Sequence, residues 1–458
     1  MGLLYIAAYL RQLGYEIDFI DCLDKYHPDL LKRQGRTRPK VRKYGIGSFH
    51  REIVEKPAIL NFIPRHFARY GLPEDIFLRE LKSRPRPDAV LVTSFMTYWY
   101  PGPKRVVELV RNVFPDVPVI FGGIYATLMP DHARKIIQPD YLITGPGEVQ
   151  VAQLLGEILP DSPVLTDELL PRSLDDFPPP AFDLIRHPDY LIVMTSRGCP
   201  FRCTFCATHK ISGAYARRQP ERVVEEIITQ TRKLRIRDVA FYDDALLLHK
   251  KQHFIPIMNQ LLNHSRLNLR FHTPNGLHVR QIDEEIAEIF YRAGFKTIRL
   301  SFESVSAERL QDMRNKVTPD DLERAVQHLE KAGYPRKQLE AYVLMGLPDQ
   351  PLEEVYQSIL FVHSLGIRIR LASFSPIPGT VDYQRAVERG LFPPDADPLL
   401  TNKSIYPMYR TTEAYWRFHG IRQLVTVLNY GTERGVNLFS GPEFRKAFER
   451  IGKLGREG

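Results

Sequence analysis

Three of the four cysteines in this 458-residue chain fall within eight residues, as Cys199, Cys203 and Cys206 of the stretch SRGCPFRCTFCATHK. The fourth, Cys22, lies far upstream. Thiolates are soft ligands for zinc, copper and iron–sulfur clusters. The C-x3-C-x2-C segment contains Pro200 and is too short to be helical throughout, so it can fold three sulfurs inward around one centre. Two metals suit it. One is structural zinc with His209 as fourth ligand, from the Cys206-x2-His209 spacing. The other is a four-iron, four-sulfur cube, in which three cysteines leave one iron open. An open coordination position marks catalysis, by the logic that separates catalytic from structural zinc.

The rest of the composition bounds what surrounds that loop. The length is that of two or three domains, and 43% hydrophobic residues suffice for packed cores. No apolar run reaches the roughly 18 residues needed to cross a bilayer, and the opening GLLYIAAYLRQLGYE lacks the basic leader of a signal peptide. Clustered thiols without evenly spaced partners are not a disulfide framework. These features predict a soluble, cytoplasmic protein. Net charge is +9. Much of the excess sits in Lys32, Arg33, Arg36, Arg38, Lys40, Arg42 and Lys43, a run without acids. Such a run reads as a solvated basic loop, or alternatively as a phosphate-binding surface.

Alternating short apolar strands and amphipathic helices predict two α/β units. Residues 2–15 have helical spacing, and EIDFIDCL (16–23) reads as a strand. AVLVTSF, PVIFGG and YLITG follow as strands, with helices near 103–114, 130–137 and from 148. The expected fold is a doubly wound, flavodoxin-like parallel sheet over residues 1–156 with a basic insertion at 25–85. A first strand ahead of the opening helix is absent, so either the chain starts inside the domain or the sheet closes differently. Residues 157–189, dense in Pro and Asp, read as a linker. From 190 to 388 six further strand–helix repeats predict a partial (β/α)6 barrel, with the cysteine loop after its first strand, at the carboxyl end where such barrels keep their active sites. Residues 389–458 read as a helical tail expected to cap the barrel mouth, EAYWRFHGIRQLVTVLNYG being its clearest piece.

The cysteine spacing, with Phe205 just before the last cysteine and six strand–helix repeats behind it, resembles the radical S-adenosylmethionine (SAM) enzymes over roughly residues 190–385. The resemblance implies that Cys199, Cys203 and Cys206 bind a 4Fe-4S cluster. The open iron would then chelate SAM, which is cleaved reductively to a 5′-deoxyadenosyl radical. It also implies SAM contacts from polar or turn-forming residues at the strand ends: Asp243, Asp244, Ser301, Glu303, Ser304 and Gly346, with Phe205 beside the cluster. A salt bridge to Arg299 is the structural alternative for Glu303. His272 and Asn275 could face substrate.

GGIYATLMPDHARK, PDYLITGPGE and the opening helix resemble the cobalamin-binding domain that precedes the barrel in one branch of that family. This implies cobalamin contacts at Ser94, Thr97, Gly122, Gly123, Thr127, Gly145 and Gly147. The D-x-H-x-x-G pattern that ligates cobalt in many cobalamin proteins is absent, as it often is in this branch. The expected activity is cobalamin-dependent methyl transfer to an unactivated carbon of a small-molecule or lipid-like substrate, fed by an electron donor such as ferredoxin or flavodoxin. Radical rearrangement, cyclisation or oxidation without methyl transfer is the second reading. A zinc-stabilised nucleic-acid-binding protein using the basic run is the third. Methylthio transfer would need a second cysteine cluster that Cys22 alone does not supply.

Overall fold

The computed structural model describes residues 1–163, 165–264, 267–314, 317–391, 393–403 and 412–438. Helix α1 (Gly2–Gln12) opens the first unit, followed by β1 (Val90–Ser94), α2 (Pro101–Val113), β2 (Val119–Gly123), α3 (Pro130–Ile137), β3 (Tyr141–Leu142) and α4 (Glu148–Ile158). The three strands form a parallel sheet in the order β1-β2-β3. Alternation along β2 fills both faces. Val119 and Phe121 pack with Val107, Val110, Ala133 and Ile137 of α2 and α3, while Ile120 packs with Tyr9, Leu10, Val151 and Leu155 of α1 and α4.

The strand expected over 16–23 does not form. Residues 16–21 take no regular structure and 22–23 turn; Ile17 and Ile20 are half-buried against the two sides of the sheet. In the doubly wound order this segment pairs with a central first strand, and no strand lies beside it among the described residues. A strand cannot exist without a neighbour to bond, so β-propensity alone does not make one here. The insertion at 25–85 is also more ordered than a loop. It holds helices at Pro28–Arg33 and Glu74–Lys82 and a short hairpin pairing Arg51–Ile53 with Ala68–Tyr70.

The second unit runs β4 (Leu191–Val193), α5 (Pro220–Leu234), β5 (Asp238–Phe241), α6 (Phe254–Asn263), β6 (Arg270–His278), α7 (Glu284–Ala293), β7 (Phe295–Glu303), α8 (Pro319–Lys331), β8 (Leu339–Met345), α9 (Leu352–Ser364) and β9 (Arg368–Ser373). All six strands are parallel, and their order in the sheet is their order in the chain. That is the arrangement right-handed crossovers produce. Val239, Phe241, Phe271, Ile298, Leu300 and Ile369 point outward into the helix layer. Their neighbours in sequence therefore line the concave face.

The barrel stops at six strands, so β9 presents an edge. Helix α10 (Thr412–Glu433) lies along it rather than over the mouth, as had been expected of the tail. The Asn429 amide donates to Ile369 C=O and accepts from Ile369 N–H, each at 2.8 Å, replacing the missing strand's hydrogen bonds. Only the start of α10 reaches the rim, where Phe418 lies near Gly346. Past the end of α4, the described residues of 159–189 contain only 3-10 turns, yet they are strapped down: Phe182 enters the barrel core and Phe177 meets Tyr9 edge-on at 5.4 Å.

Candidate active site

The cysteine loop is closed at its neck. Ser196–Arg197 pairs antiparallel with Ala216–Arg217, so residues 198–215 project as one loop from the carboxyl end of β4. Gly198 has φ +79°, and a Cβ there would come within 3.0 Å of Ala214 O, so the tight neck requires glycine. Within the loop the Cys206 N–H donates to Cys203 C=O at 3.0 Å, and Cys206 Sγ lies 3.2 Å from Thr208 Oγ1 in the helical turn Thr208–Ile211. All three thiols are half-buried and none is in a disulfide. Phe205 packs, partly buried, in an apolar cluster with Met313, Leu344, Leu347 and Phe374.

Among the described residues no three His, Cys, Asp or Glu side chains converge tightly enough to hold a single metal ion. A cube takes its thiolates at separate corners and asks for a wider spread. Three half-buried thiols on one pinned loop fit that donor set.

Two buried carboxylates fix the loop. Asp243, at the end of β5 and 3% exposed, accepts from Thr195 N–H (3.1 Å), Thr195 Oγ1–H (2.7 Å) and Ser196 Oγ–H (2.6 Å). Asp382, beyond β9, donates its N–H to Thr204 C=O at 3.1 Å, between two of the cysteines. Its carboxylate pairs with Arg385 at 3.2 Å, and Arg385 pairs with Asp312 at 2.8 Å. Neither Thr195 nor Asp382 was singled out in the sequence. Their partners lie 48 or more residues away, and no local pattern marks them.

Thr195 also faces His253, whose Nε2 is 2.9 Å from Oγ1. His253 is 1% exposed. Burial, and then the positive charge of Arg217, holds its pKa down from 6.5 to about 4. A lowered histidine pKa means the neutral ring stabilises the fold fully above pH 6.5, and that contribution is lost as pH falls toward 4. We expect the Tm of the apoprotein to fall across that window by the equivalent of at most about 3 kcal/mol. His253→Gln should flatten this acid limb; an unchanged limb would assign it to other groups.

The expected SAM contacts divide into two sets. Asp244 opens onto solvent at the end of β5, and withdrawal of water by the surrounding wall, then Asp243, pushes its carboxyl up to about 6. Ser301 lies on the concave face, against Gly276, where a side chain would collide with its Oγ. Glu303 has φ +72° just past a register shift between β7 and β8. Left-handed backbone at a glutamate costs of order 1 kcal/mol and persists at places where orientation matters. Gly346 is also left-handed, its N–H held by Gln350 Oε1 at 2.9 Å. These four, with Phe205, are at carboxyl ends of the barrel strands. Asp243 and Ser304 are instead consumed inside the protein. Ser304, fully buried, donates to Glu354 Oε1 at 2.6 Å and accepts from Ser306 N–H. His272 does not face the mouth: it bridges Asp238 and Thr297 at 2.9 Å each, low on the strands. Asn275 donates to Tyr242 C=O, just past the carboxyl end of β5.

In the first unit Gly123 has φ +97°, and a Cβ there would approach Ser94 O to 2.7 Å. Thr127 Oγ1 donates to Gly123 C=O and accepts from Gly145 N–H, both at 2.9 Å, tying together the loops after β2 and β3. Gly145 is left-handed with open space beside it; Gly147 lies against Ile6 at the start of α4, and Gly122 is the penultimate residue of β2. Ser94 is buried and donates to Met96 C=O, whereas Thr97 turns toward Thr401 at 3.3 Å. The short helix Ile124–Leu128 between these loops packs against Thr208–Ile211, beside Cys206. The carboxyl ends of the two sheets thus meet.

A buried ion pair clamps that junction. Glu148 at the start of α4 pairs with Arg197 at 2.6 Å, two residues before Cys199, and the guanidinium lies 4.8 Å from the Tyr5 ring. Removing one partner strands the other charge. Glu148→Ala is expected to destabilise the protein by about 3 kcal/mol, read by thermal unfolding, with Glu148→Gln milder. Equal Tm values would show the clamp to be dispensable.

Residues 193–362 match the family model of the radical SAM superfamily, and residues 66–155 match that of the B12 binding domain. The second unit thus matches a radical SAM domain, and the first a B12 binding domain. An uncharacterized methyltransferase of Pyrococcus horikoshii is 27% identical over 350 residues, covering 70% of this chain and 74% of that one. An anaerobic magnesium-protoporphyrin IX monomethyl ester cyclase of Rubrivivax gelatinosus is 25% identical, over 61% of this chain and 55% of its own length. Among solved structures, the radical SAM methyltransferase TsrM of Kitasatospora setae, with cobalamin and a [4Fe-4S] cluster bound, superposes with a TM-score of 0.55 at 19% identity. That match covers 68% of this chain and 69% of that one, and it shows a shared fold. A radical SAM domain implies SAM and a 4Fe-4S cluster; a B12 binding domain implies cobalamin. No helix among the described residues is long and apolar enough to cross a membrane.

Proposed function

We propose that this chain is a cobalamin-dependent radical SAM methyltransferase acting on an unactivated carbon. The observation that carries the reading is the contact of Ile124–Leu128, between the glycine loops of the B12-binding-type unit, with Thr208–Ile211, next to the last cysteine. Two cofactor loops that share a wall can serve one substrate between them. When bound, the cluster supplies the electron that cleaves SAM and cobalamin supplies a methyl group.

The chain's own residues hold and shield these groups. Cys199, Cys203 and Cys206 ligate the cluster, and Asp243 and Asp382 hold their loop in shape. Asp244, Ser301, Glu303 and the Gly346 backbone orient SAM, and Phe205 walls the cluster from water. The glycines at 122, 123, 145 and 147, braced by Thr127, let backbone approach cobalamin closely. An electron donor of the ferredoxin or flavodoxin class completes the system.

The test is anaerobic reconstitution of the full chain with SAM, a chemical reductant and hydroxocobalamin. Release of 5′-deoxyadenosine, together with S-adenosylhomocysteine that appears only with cobalamin, is the expected result. Likeness to the cyclase favours a second reading, radical chemistry without methyl transfer. Its signature is 5′-deoxyadenosine release indifferent to cobalamin. Absence of both products overturns the proposal.

A further inference from the structure

The concave face of the barrel carries an arginine-rich row that the cofactors do not account for. Ile298, Leu300, Leu339, Ala341 and Ile369 point outward into the core, so Arg299 on β7, Glu340 on β8, and Arg368 and Arg370 on β9 point inward. The register sets Arg299 beside Glu340 and Glu340 beside Arg368. One step nearer the mouth it sets Ser301 beside Tyr342 and Tyr342 beside Arg370.

Glu340 serves three guanidiniums. Its Oε2 accepts from Arg299 Nε and from Arg370 Nη1, both at the long distance of 3.2 Å, and its Oε1 is 3.9 Å from Arg368 Nε. Arg368 also reaches Glu433 of α10 at 3.1 Å. Three cations facing two carboxylates leave one positive charge in excess. Arg299, only 14% exposed, is held rigid: its Nη1 donates to Pro274 C=O at 2.8 Å, and Tyr342 OH donates to the same oxygen at 3.0 Å. Pro274 lies in a register shift of β6 between Thr273 and Leu277, which turns its carbonyl into the barrel. Arg370, at 43%, stays accessible and uses only Nη1 among the described hydrogen bonds.

We propose that these arginines are the substrate's anchor: Arg299, one row below Ser301, and Arg370, in the row of Ser301, bind an oxyanion, carboxylate or phosphoryl. An excess of guanidinium charge on a partly exposed row attracts an anion. Guanidinium forks match oxyanions in geometry. The inference rests on the radical SAM reading for the claim that the anion belongs to substrate; the anion site itself stands independently. Glu340 is then an internal stand-in that the oxyanion displaces or supplements.

The full-length protein is titrated with ethylphosphonate and, separately, propionate, followed by 31P and 1H NMR line broadening. Saturable millimolar binding of at least one probe is expected, and the stronger probe identifies the head group. Arg370→Gln, a half-exposed edge-strand change, should weaken it about tenfold. Glu340→Gln should tighten it several-fold by removing the competing carboxylate, a gain that a purely structural role for the row would not produce. Lys40→Gln, on the exposed basic run, should change nothing. No saturable binding of either probe, or equal affinity in wild type and folded Arg370→Gln, overturns the proposal. Cluster absorbance and 5′-deoxyadenosine release are measured on the same preparations. Their loss with anion binding intact counts against the enzymatic reading alone.

Discussion

Cys203→Ala is expected to abolish the iron–sulfur absorbance of the reconstituted protein and to bring 5′-deoxyadenosine release to background, while Cys22→Ala leaves both intact. In the proposed site the three thiols of one loop are the whole donor set, with no spare ligand; the fourth cysteine of the chain is in the other unit, packed against its sheet core. Burial, reinforced by Asp21, pushes the Cys22 thiol up to about 12, so it stays protonated and inert at neutral pH. Cys203 is half-buried on a projecting loop, and its truncation to alanine removes little packing. The apoprotein should therefore unfold at the wild-type temperature. Full cluster content in Cys203→Ala, or its loss in Cys22→Ala, would mean that the cluster sits elsewhere.

The barrel was legible in the sequence because each of its strands is a short apolar run bounded by an amphipathic helix, and a parallel strand buried on its helix side needs little else. The strand at 16–23 was misread for the complementary reason. Its residues have the right propensity, but a strand is a pair property, and the ladder it needed is not there. Site reading failed in the same way one level down. Position at a strand's carboxyl end is visible in sequence; the direction a side chain takes is not. Asp243, Asp244, Ser301 and Ser304 look alike in the motifs FYDD and SFES. Asp243 and Ser304 turn inward to Thr195 and Glu354, partners 48 and 50 residues away. The arginine row escaped notice because its members are single residues on three strands, joined only by register. The basic run was plain in composition. Its packing was not: the ring of Tyr44, at its end, packs tilted against His272 at 4.7 Å.

Asp243→Ala tests whether that inward turn matters. The carboxylate is the only recorded acceptor for the backbone N–H of Thr195, a residue with no exposed surface. It also binds the Thr195 and Ser196 hydroxyls. Burial raises the Asp243 pKa, and these three donors oppose that rise by favouring the charged form. With alanine the hydroxyls can rotate, Thr195 toward His253, but the amide has nowhere to go. An orphaned buried amide plus two lost charge-assisted bonds costs about 2–4 kcal/mol. The damage falls on residues 195 and 196, the neck from which the cysteine loop springs. A lower Tm and substoichiometric cluster are therefore expected, with Asp243→Asn intermediate because its one carbonyl oxygen can still take the amide. In the fraction that retains cluster, affinity for SAM should equal that of wild type, since Asp243 acts through the loop. A variant with normal Tm and full cluster but weakened SAM binding would instead place the carboxylate on the cofactor, as its neighbour Asp244 is proposed to be.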